Sequence, residues 1–120
     1  MKRDMDLVRA ILLEIEKHEH GFAPDEWNVE GYTEEQINYH AYIMMEGGLV
    51  EGADVTTRGS ESPEAVIRHL TWAGHEFLDS AREPGRWNQA KQLLEKAGGA
   101  SIAVWTAVLT DMVKKNLGLG

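Results

Sequence analysis

Apolar side chains recur at helical spacing in the first part of the chain, and residues that favour helix ends bound each stretch. Asp4 or Asp6 can cap a first helix that runs to about His18. A second helix is predicted from Thr33, because TEEQ is a capping-box sequence, and the glycines of GGL end it. The inner faces of the two helices consist of Leu7, Val8, Ile11, Leu12 and Ile15, and of Ile37, His40, Ala41 and Met44.

Two segments after the second helix are predicted to form a β-hairpin. Residues 49–57 alternate weakly between apolar and polar side chains, and residues 65–70 form the returning strand. The polar segment between them contains Gly59 and Pro63, which favour turns. An earlier segment, residues 29–32, is predicted to pair briefly as a strand.

Three more helices are predicted, with Thr71 capping the third, residues 86–99 containing the fourth, and Ser101 capping the fifth. We therefore predict a mainly α-helical protein with a small β-hairpin. A winged-helix-like core (residues 1–83) and two C-terminal helices (residues 84–120) would form one domain. A full helix-turn-helix needs two helices between the first helix and the hairpin, where only one is predicted, and only residues 24–27 leave room for one more turn.

Nearly the whole chain resembles an uncharacterised bacterial and prophage family, domain of unknown function 2513. The resemblance is carried by MKRDMDLVRAILLEIE, VEGYTEEQINYH, GGLVEG, LTWAGHEFLDSAR, WNQAK and KKNLGLG. Its most specific parts are KRDMDLVR, LTWAGHEFLD and KKNLGLG. The resemblance implies a winged-helix variant of phage or mobile-element origin, and it brings no activity and no functional residue.

The composition narrows the class of protein. A chain of 120 residues has room for one domain with one core. The absence of cysteine excludes disulfides, thiol catalysis and cysteine-based zinc or iron–sulfur sites, and it fits a reducing cytoplasm. The longest apolar stretch, residues 102–109, is far shorter than the roughly 18 residues that span a bilayer. We expect a cytoplasmic protein without a cofactor.

The negative charge is concentrated in one half of the chain. Residues 10–57 contain eleven acidic residues and one basic residue, within a net charge of -8 for the whole chain. Phosphate binding draws most of its affinity from lysine and arginine, and the second helix carries neither. The charge therefore disfavours DNA as a partner. The remaining candidates for nucleic-acid contact are Arg58, Arg68, Lys2 and Arg3.

Two surfaces are candidates for protein contacts. The first is an acidic face that consists of Glu30, Glu34, Glu35 and Glu46. The second is the last helix, whose apolar residues spread around most of its circumference and favour self-association as a dimer. Its candidate contact residues are Ile102, Trp105, Val108, Leu109 and Met112. The alternative is that the C-terminal helices fold back and bury this helix within one chain.

The histidines give no convincing metal or catalytic site. His18 and His20 flank one glutamate and could bind a metal with a third ligand, but no third ligand follows from the spacing. At a helix C-terminus they can equally stabilise the last carbonyl groups. His40 lies on an apolar face and is expected to be a hydrogen-bonded, partly buried residue. We find no nucleophile with a base and no phosphate loop, and we predict no catalytic residue and no metal.

These observations favour a non-enzymatic phage or prophage accessory protein that acts through protein–protein contacts. One alternative is a DNA-binding transcriptional regulator, which rests on the fold resemblance alone. A second alternative is an acidic DNA mimic that inhibits a nucleic-acid-binding or defence protein of the host.

Overall fold

The computed structural model describes residues 1–119 and contains five helices and one antiparallel hairpin. The elements are α1 (Met5–Glu16), α2 (Glu34–Glu46), β1 (Val50–Asp54), β2 (Ala65–Leu70), α3 (Trp72–Ala81), α4 (Pro84–Lys96) and α5 (Ile102–Asn116). Helices hold about 53% of the chain, which confirms the mainly α-helical class with a small hairpin.

The chain divides into two compact units, Met1–Glu76 and Phe77–Gly120, and the boundary lies within α3. In the first unit, α1 and α2 bury the apolar faces that their spacing predicted. Both helices begin as predicted, since Asp4 accepts hydrogen bonds from the first turn of α1 and Thr33 forms the capping box with Gln36. The α1 helix ends at Glu16, two residues before the predicted end.

The hairpin pairs Val50 with Leu70 at one end and Asp54 with Ala65 at the other, with a bulge between Glu51 and Gly52. The strand β1 is shorter than predicted because a turn begins at its end. There the Thr56 N–H donates to Asp54 Oδ1 at 2.9 Å, and hydrogen bonds from Thr56 lower the pKa of Asp54.

The prediction of a short strand at residues 29–32 is wrong. The segment that pairs with the hairpin comes seven residues earlier, where Phe22 lies opposite His69 in an antiparallel bridge. The Ala23 N–H donates to the Arg68 carbonyl at 2.8 Å. Pro24 follows and has no N–H to continue the ladder. Residues 24–27 form no helical turn, so α2 is the only helix between α1 and the hairpin in the described chain. The winged-helix core therefore stays a prediction.

The start of α3 packs tightly against the segment between α2 and β1. The Thr71 hydroxyl accepts a hydrogen bond from the Gly74 N–H at 3.0 Å and donates to the Gly48 carbonyl at 2.5 Å. A Cβ atom at position 74 would lie 2.0 Å from the Leu49 carbonyl oxygen. Only glycine fits this approach without a shift of the backbone.

The second unit has an aromatic core. The rings of Phe77 and Trp87 meet edge to face with centroids 6.3 Å apart, and those of Trp87 and Trp105 stack at 4.5 Å. The α4 helix begins at Pro84, two residues before the predicted start, because a proline in the first turn of a helix has no N–H that needs a partner. Ser101 caps α5 as predicted.

Candidate protein-interaction groove

A groove of about 790 Å³ lies between β2, α2 and the loop of residues 23–32, all within the first unit. We call it the acidic groove. Its apolar lining includes Trp27 from the loop, Ile37 from α2 and Ile67 from β2. Trp27 is partly exposed, and Val66 on β2 is 57% exposed. Most of the accessible lining is polar, and Trp27 and Val66 supply the main apolar surface of the groove.

Four exposed carboxylates surround the acidic groove, and its lining contains no lysine, arginine or histidine. They belong to Asp25, Glu26, Glu30 and Glu34. Because no basic side chain of the lining offsets them, the groove has a negative potential.

The backbone of β2 presents hydrogen-bonding groups to this groove. The Val55 N–H donates to the Glu64 carbonyl at 3.0 Å, so Val55 and Glu64 form a hydrogen-bonded pair. Hydrogen-bonded pairs alternate along an antiparallel ladder, and the next one joins Ala53 and Val66. The N–H and C=O of Val66 therefore point towards β1. The corresponding groups of Ala65 and Ile67 therefore point to the opposite edge, which borders the groove. Within residues 1–119, no hydrogen bond reaches Ala65 or Ile67 from that side.

A buried hydrogen-bond network fixes the helix that forms one wall of the groove. The Asp4 N–H donates to Nε2 of His40 at 2.9 Å, and Nδ1–H of His40 donates to the Gln36 carbonyl at 2.8 Å. His40 is 1% exposed, and each of its ring nitrogens forms a hydrogen bond, as expected for a hydrogen-bonded histidine in the core. The network therefore joins the start of α1 to α2.

The same network holds the end of the loop. The Tyr32 hydroxyl donates to Asp4 Oδ2 at 3.0 Å. Burial, the hydrogen bond to Asp4 and the negative charges of Asp4 and Asp6 raise the pKa of Tyr32 to about 12. The loop of residues 23–32 is thus tied to the helices at its C-terminal end.

The structure brings three of the four predicted acidic residues together. Glu30 and Glu34 line the acidic groove, and Glu35 lines a neighbouring hollow of about 430 Å³ at the hairpin tip, which Glu34 also borders. Glu35 accepts a hydrogen bond from the Ser62 hydroxyl at 2.7 Å. Glu46 lies at the other end of α2, about 18 Å along the helix axis from Glu34, since an α-helix rises 1.5 Å per residue.

The predicted nucleic-acid contacts do not line the acidic groove. Arg58 lies in the turn of the hairpin, and Lys2 and Arg3 precede α1. Arg68 projects from β2, with its guanidinium 3.8 Å from Glu51, so part of its charge is offset. The prediction that these residues contact nucleic acid stays a prediction.

The candidate self-association residues on α5 fall into two groups. Trp105 and Leu109 are buried, whereas Ile102, Val108 and Met112 are partly exposed. The chain itself already covers the first two, and self-association through the other three stays a prediction.

Among residues 1–119, no group of three or more His, Cys, Asp or Glu side chains could hold a metal ion. None of the described helices combines the length and apolar character needed to cross a membrane. His18 and His20 are exposed in the turn after α1.

Sequence reasoning missed the groove itself, including Trp27 and the open edge of β2 at Ala65 and Ile67. One sequence feature points to that edge. Phe22 and Ala23 are followed at once by Pro24, so a strand that begins there must stop after two residues.

Comparisons with known proteins place the chain among proteins without an assigned activity. The model of the family described as hypothetical protein (DUF2513) matches residues 2–100. An uncharacterised protein of Haemophilus influenzae (strain Rd) is 35% identical over 98 residues, which cover 79% of this chain and 80% of that protein. No solved structure matches the chain.

Proposed function

We propose a function for this chain, which belongs to the family of hypothetical proteins DUF2513: it is a non-enzymatic module that binds a basic protein through the acidic groove. One observation carries the proposal. The groove combines an apolar lining around Trp27 with four exposed carboxylates and no basic group. Such a surface attracts lysine- and arginine-rich segments and repels nucleic acid.

A winged-helix-like scaffold is part of the proposal. The described order of α1, the pairing segment at Phe22 and Ala23, α2 and the hairpin agrees with that architecture, except for the absent middle helix. The resemblance to prophage proteins supports the further proposal that the chain is a phage or prophage accessory protein.

A DNA-binding regulator has weaker support from the same residues. The α2 helix would have to enter a groove of DNA, yet it contains no lysine or arginine and begins with Glu34 and Glu35. A DNA mimic would need carboxylates spaced like phosphates. The central part of α2, residues 36–45, contains no acidic residue, so no row of carboxylates follows this helix.

The experiment measures binding by fluorescence anisotropy at low and at physiological salt. The probes are a labelled pool of octapeptides with lysine or arginine at half of the positions, and a labelled random-sequence DNA duplex. We expect the peptides to bind, less tightly as salt rises, and the duplex to remain free.

Two variants with the same change in charge locate the binding surface. The groove variant carries D25N, E26Q, E30Q and E34Q. The control variant carries E19Q, E46Q, E95Q and D111N. We expect peptide binding to weaken at least tenfold in the groove variant and less than threefold in the control. Equal binding by the two variants, or micromolar binding of the duplex that falls steeply with salt, would contradict the proposal.

Self-association through α5 is a separate part of the proposal, and the partly exposed Ile102, Val108 and Met112 support it. Sedimentation velocity at about 100 μM tests it. We expect a dimer that dissociates when the three residues are replaced by serine. A parent protein that sediments as a monomer at this concentration would refute it.

A further inference from the structure

The strand β2 has one edge that is paired along its whole length except at the bulge and one that is paired over only part of its length. Along one edge it pairs with β1 from Ala65 to Leu70. Along the other edge, Phe22 and Ala23 pair with His69 and Arg68. Pro24 then ends this third segment, because a proline has no N–H to donate. The edge at residues 65–67 is left without a neighbouring strand among residues 1–119.

The open part of this edge is a wall of the acidic groove and not a solvated rim. Ala65 and Ile67 line the groove but are only 5% and 7% exposed. Their outward N–H and C=O groups have no partner within residues 1–119. Unpaired N–H and C=O groups at the edge of a sheet are a template for pairing with another strand. A ligand that supplies backbone donors and acceptors would satisfy them.

An extended peptide has the required shape. An edge of three residues is about 10 Å long, and a peptide that follows it exchanges hydrogen bonds with alternate residues. Strand addition to an exposed sheet edge is a general mode of peptide recognition, in which the backbone supplies affinity and alternate side chains supply specificity. Trp27 and the exposed Val66 offer apolar contacts in the same groove.

The charge of the groove selects among extended segments. Asp25, Glu26, Glu30 and Glu34 would repel a segment that carries acidic residues. They also disfavour pairing between two copies of this chain, because each copy would bring the same four carboxylates into one interface. Lysine or arginine side chains meet the carboxylates, and apolar side chains between them meet the lining.

We propose that the partner of the acidic groove is an extended segment that alternates apolar residues with lysine or arginine. It adds to the open edge of β2 and pairs with Ala65 and Ile67. This inference rests on the proposed binding of a basic protein and adds the conformation and mode of pairing of the bound segment.

The test uses the whole 120-residue chain labelled with ¹⁵N and a pool of octapeptides that alternate lysine or arginine with valine, isoleucine or leucine. Amide hydrogen exchange is measured without the pool and with it at 1 mM. We expect exchange at Ala65 and Ile67 to slow at least tenfold. Val66 is the internal control, because its N–H already faces β1 and should change little.

A second pool separates backbone pairing from attraction between charges. Its peptides have the same side chains, but every backbone nitrogen is methylated, so that no register of the peptide can donate to β2. Methylation removes hydrogen-bond donors and leaves the charge unchanged. We expect the methylated pool to bind at least tenfold more weakly than the parent pool, with no change of the protein sequence and therefore no risk of unfolding.

The outcomes distinguish this inference from the proposed function. Binding of the parent pool without slower exchange at Ala65 and Ile67, or equal binding of the methylated pool, would overturn strand addition and leave the binding of basic segments intact. Failure of the alternating pool to bind, while the mixed basic pool binds in the anisotropy experiment, would also overturn strand addition alone. Failure of both pools would overturn strand addition and the proposed function together.

Discussion

The substitution His40→Leu tests the hydrogen-bond network that joins α1 to α2. Leucine is similar in size to histidine and suits a buried helical position, so the main loss is polar. The Asp4 N–H loses its acceptor at 2.9 Å. The Gln36 carbonyl loses the bond from Nδ1 at 2.8 Å but can keep its bond within the helix.

The expected loss follows from the burial of these groups. A buried donor left without an acceptor costs about 1–3 kcal/mol. Asp4 is partly exposed, so water can reach it and the lower half of that range applies. We therefore expect His40→Leu to reduce the free energy of unfolding by about 1–2 kcal/mol. Each kcal/mol lowers the melting temperature by roughly 4–8 °C for a domain of about 60–100 residues and by roughly 2–4 °C for one of about 150–250 residues.

Urea denaturation followed by circular dichroism measures this loss. His40→Gln is the matched control, because its side-chain oxygen can take the place of Nε2 and accept from the Asp4 N–H. We expect it to lose less than half as much stability as His40→Leu. The reasoning would be refuted if His40→Leu were as stable as the parent, or if both variants lost the same amount.

Three other perturbations test the packing and the groove loop. Gly74→Ala places a Cβ atom 2.0 Å from the Leu49 carbonyl oxygen and should lower the free energy of unfolding, measured in urea, by about 1–3 kcal/mol. Trp105→Ala removes the stack on Trp87 and should cost about 3–5 kcal/mol in the same assay. Tyr32 has a pKa raised to about 12, so its contribution to stability is complete below pH 10 and is lost as the pH rises through 12. In a titration of tyrosinate absorbance at 295 nm, Tyr32→Phe should remove the part of the curve near pH 12.

Each of these predictions has an outcome that contradicts it. For Gly74→Ala the control is Gly85→Ala, whose new Cβ would meet only the flexible Glu83 carboxylate at 3.2 Å, and equal losses would argue against the backbone clash. For Trp105→Ala the control is Val104→Ala at an exposed position of the same helix, and a similar cost for the two would show that the stack contributes little. If Tyr32→Phe left the titration curve near pH 12 unchanged, burial and the contact with Asp4 would not raise the pKa of the Tyr32 phenol to that range.

The sequence by itself determined most of the helices and the hairpin. Thr33 and Gln36 form a capping box four residues long, and Ser101 caps α5 through a bond to Val104. These contacts lie within one helical turn, so the local sequence contains all that decides them. The returning strand Ala65–Leu70 also has its predicted bounds, because a short run that contains the β-branched Val66 and Ile67 lies between the turn residue Pro63 and the helix cap Thr71.

Only the tertiary structure decided which segments meet. The pairing of Phe22 with His69 joins residues 47 positions apart, and it replaced the strand expected at residues 29–32. The bond from the Asp4 N–H to His40 spans 36 positions. Periodicity reports which side of an element is apolar, but it does not report which distant element covers that side.

The acidic groove shows the same division between sequence and structure. The sequence established an acidic first half and the helix that presents Glu34. Trp27, Ile37 and Ile67 line the same groove because the loop between α1 and α2 follows a path that brings Trp27 beside α2 and β2. The direction of the Ala65 and Ile67 backbone groups depends on the register between β1 and β2. A shift of that register by one residue would turn those groups towards β1, and composition contains no information about register.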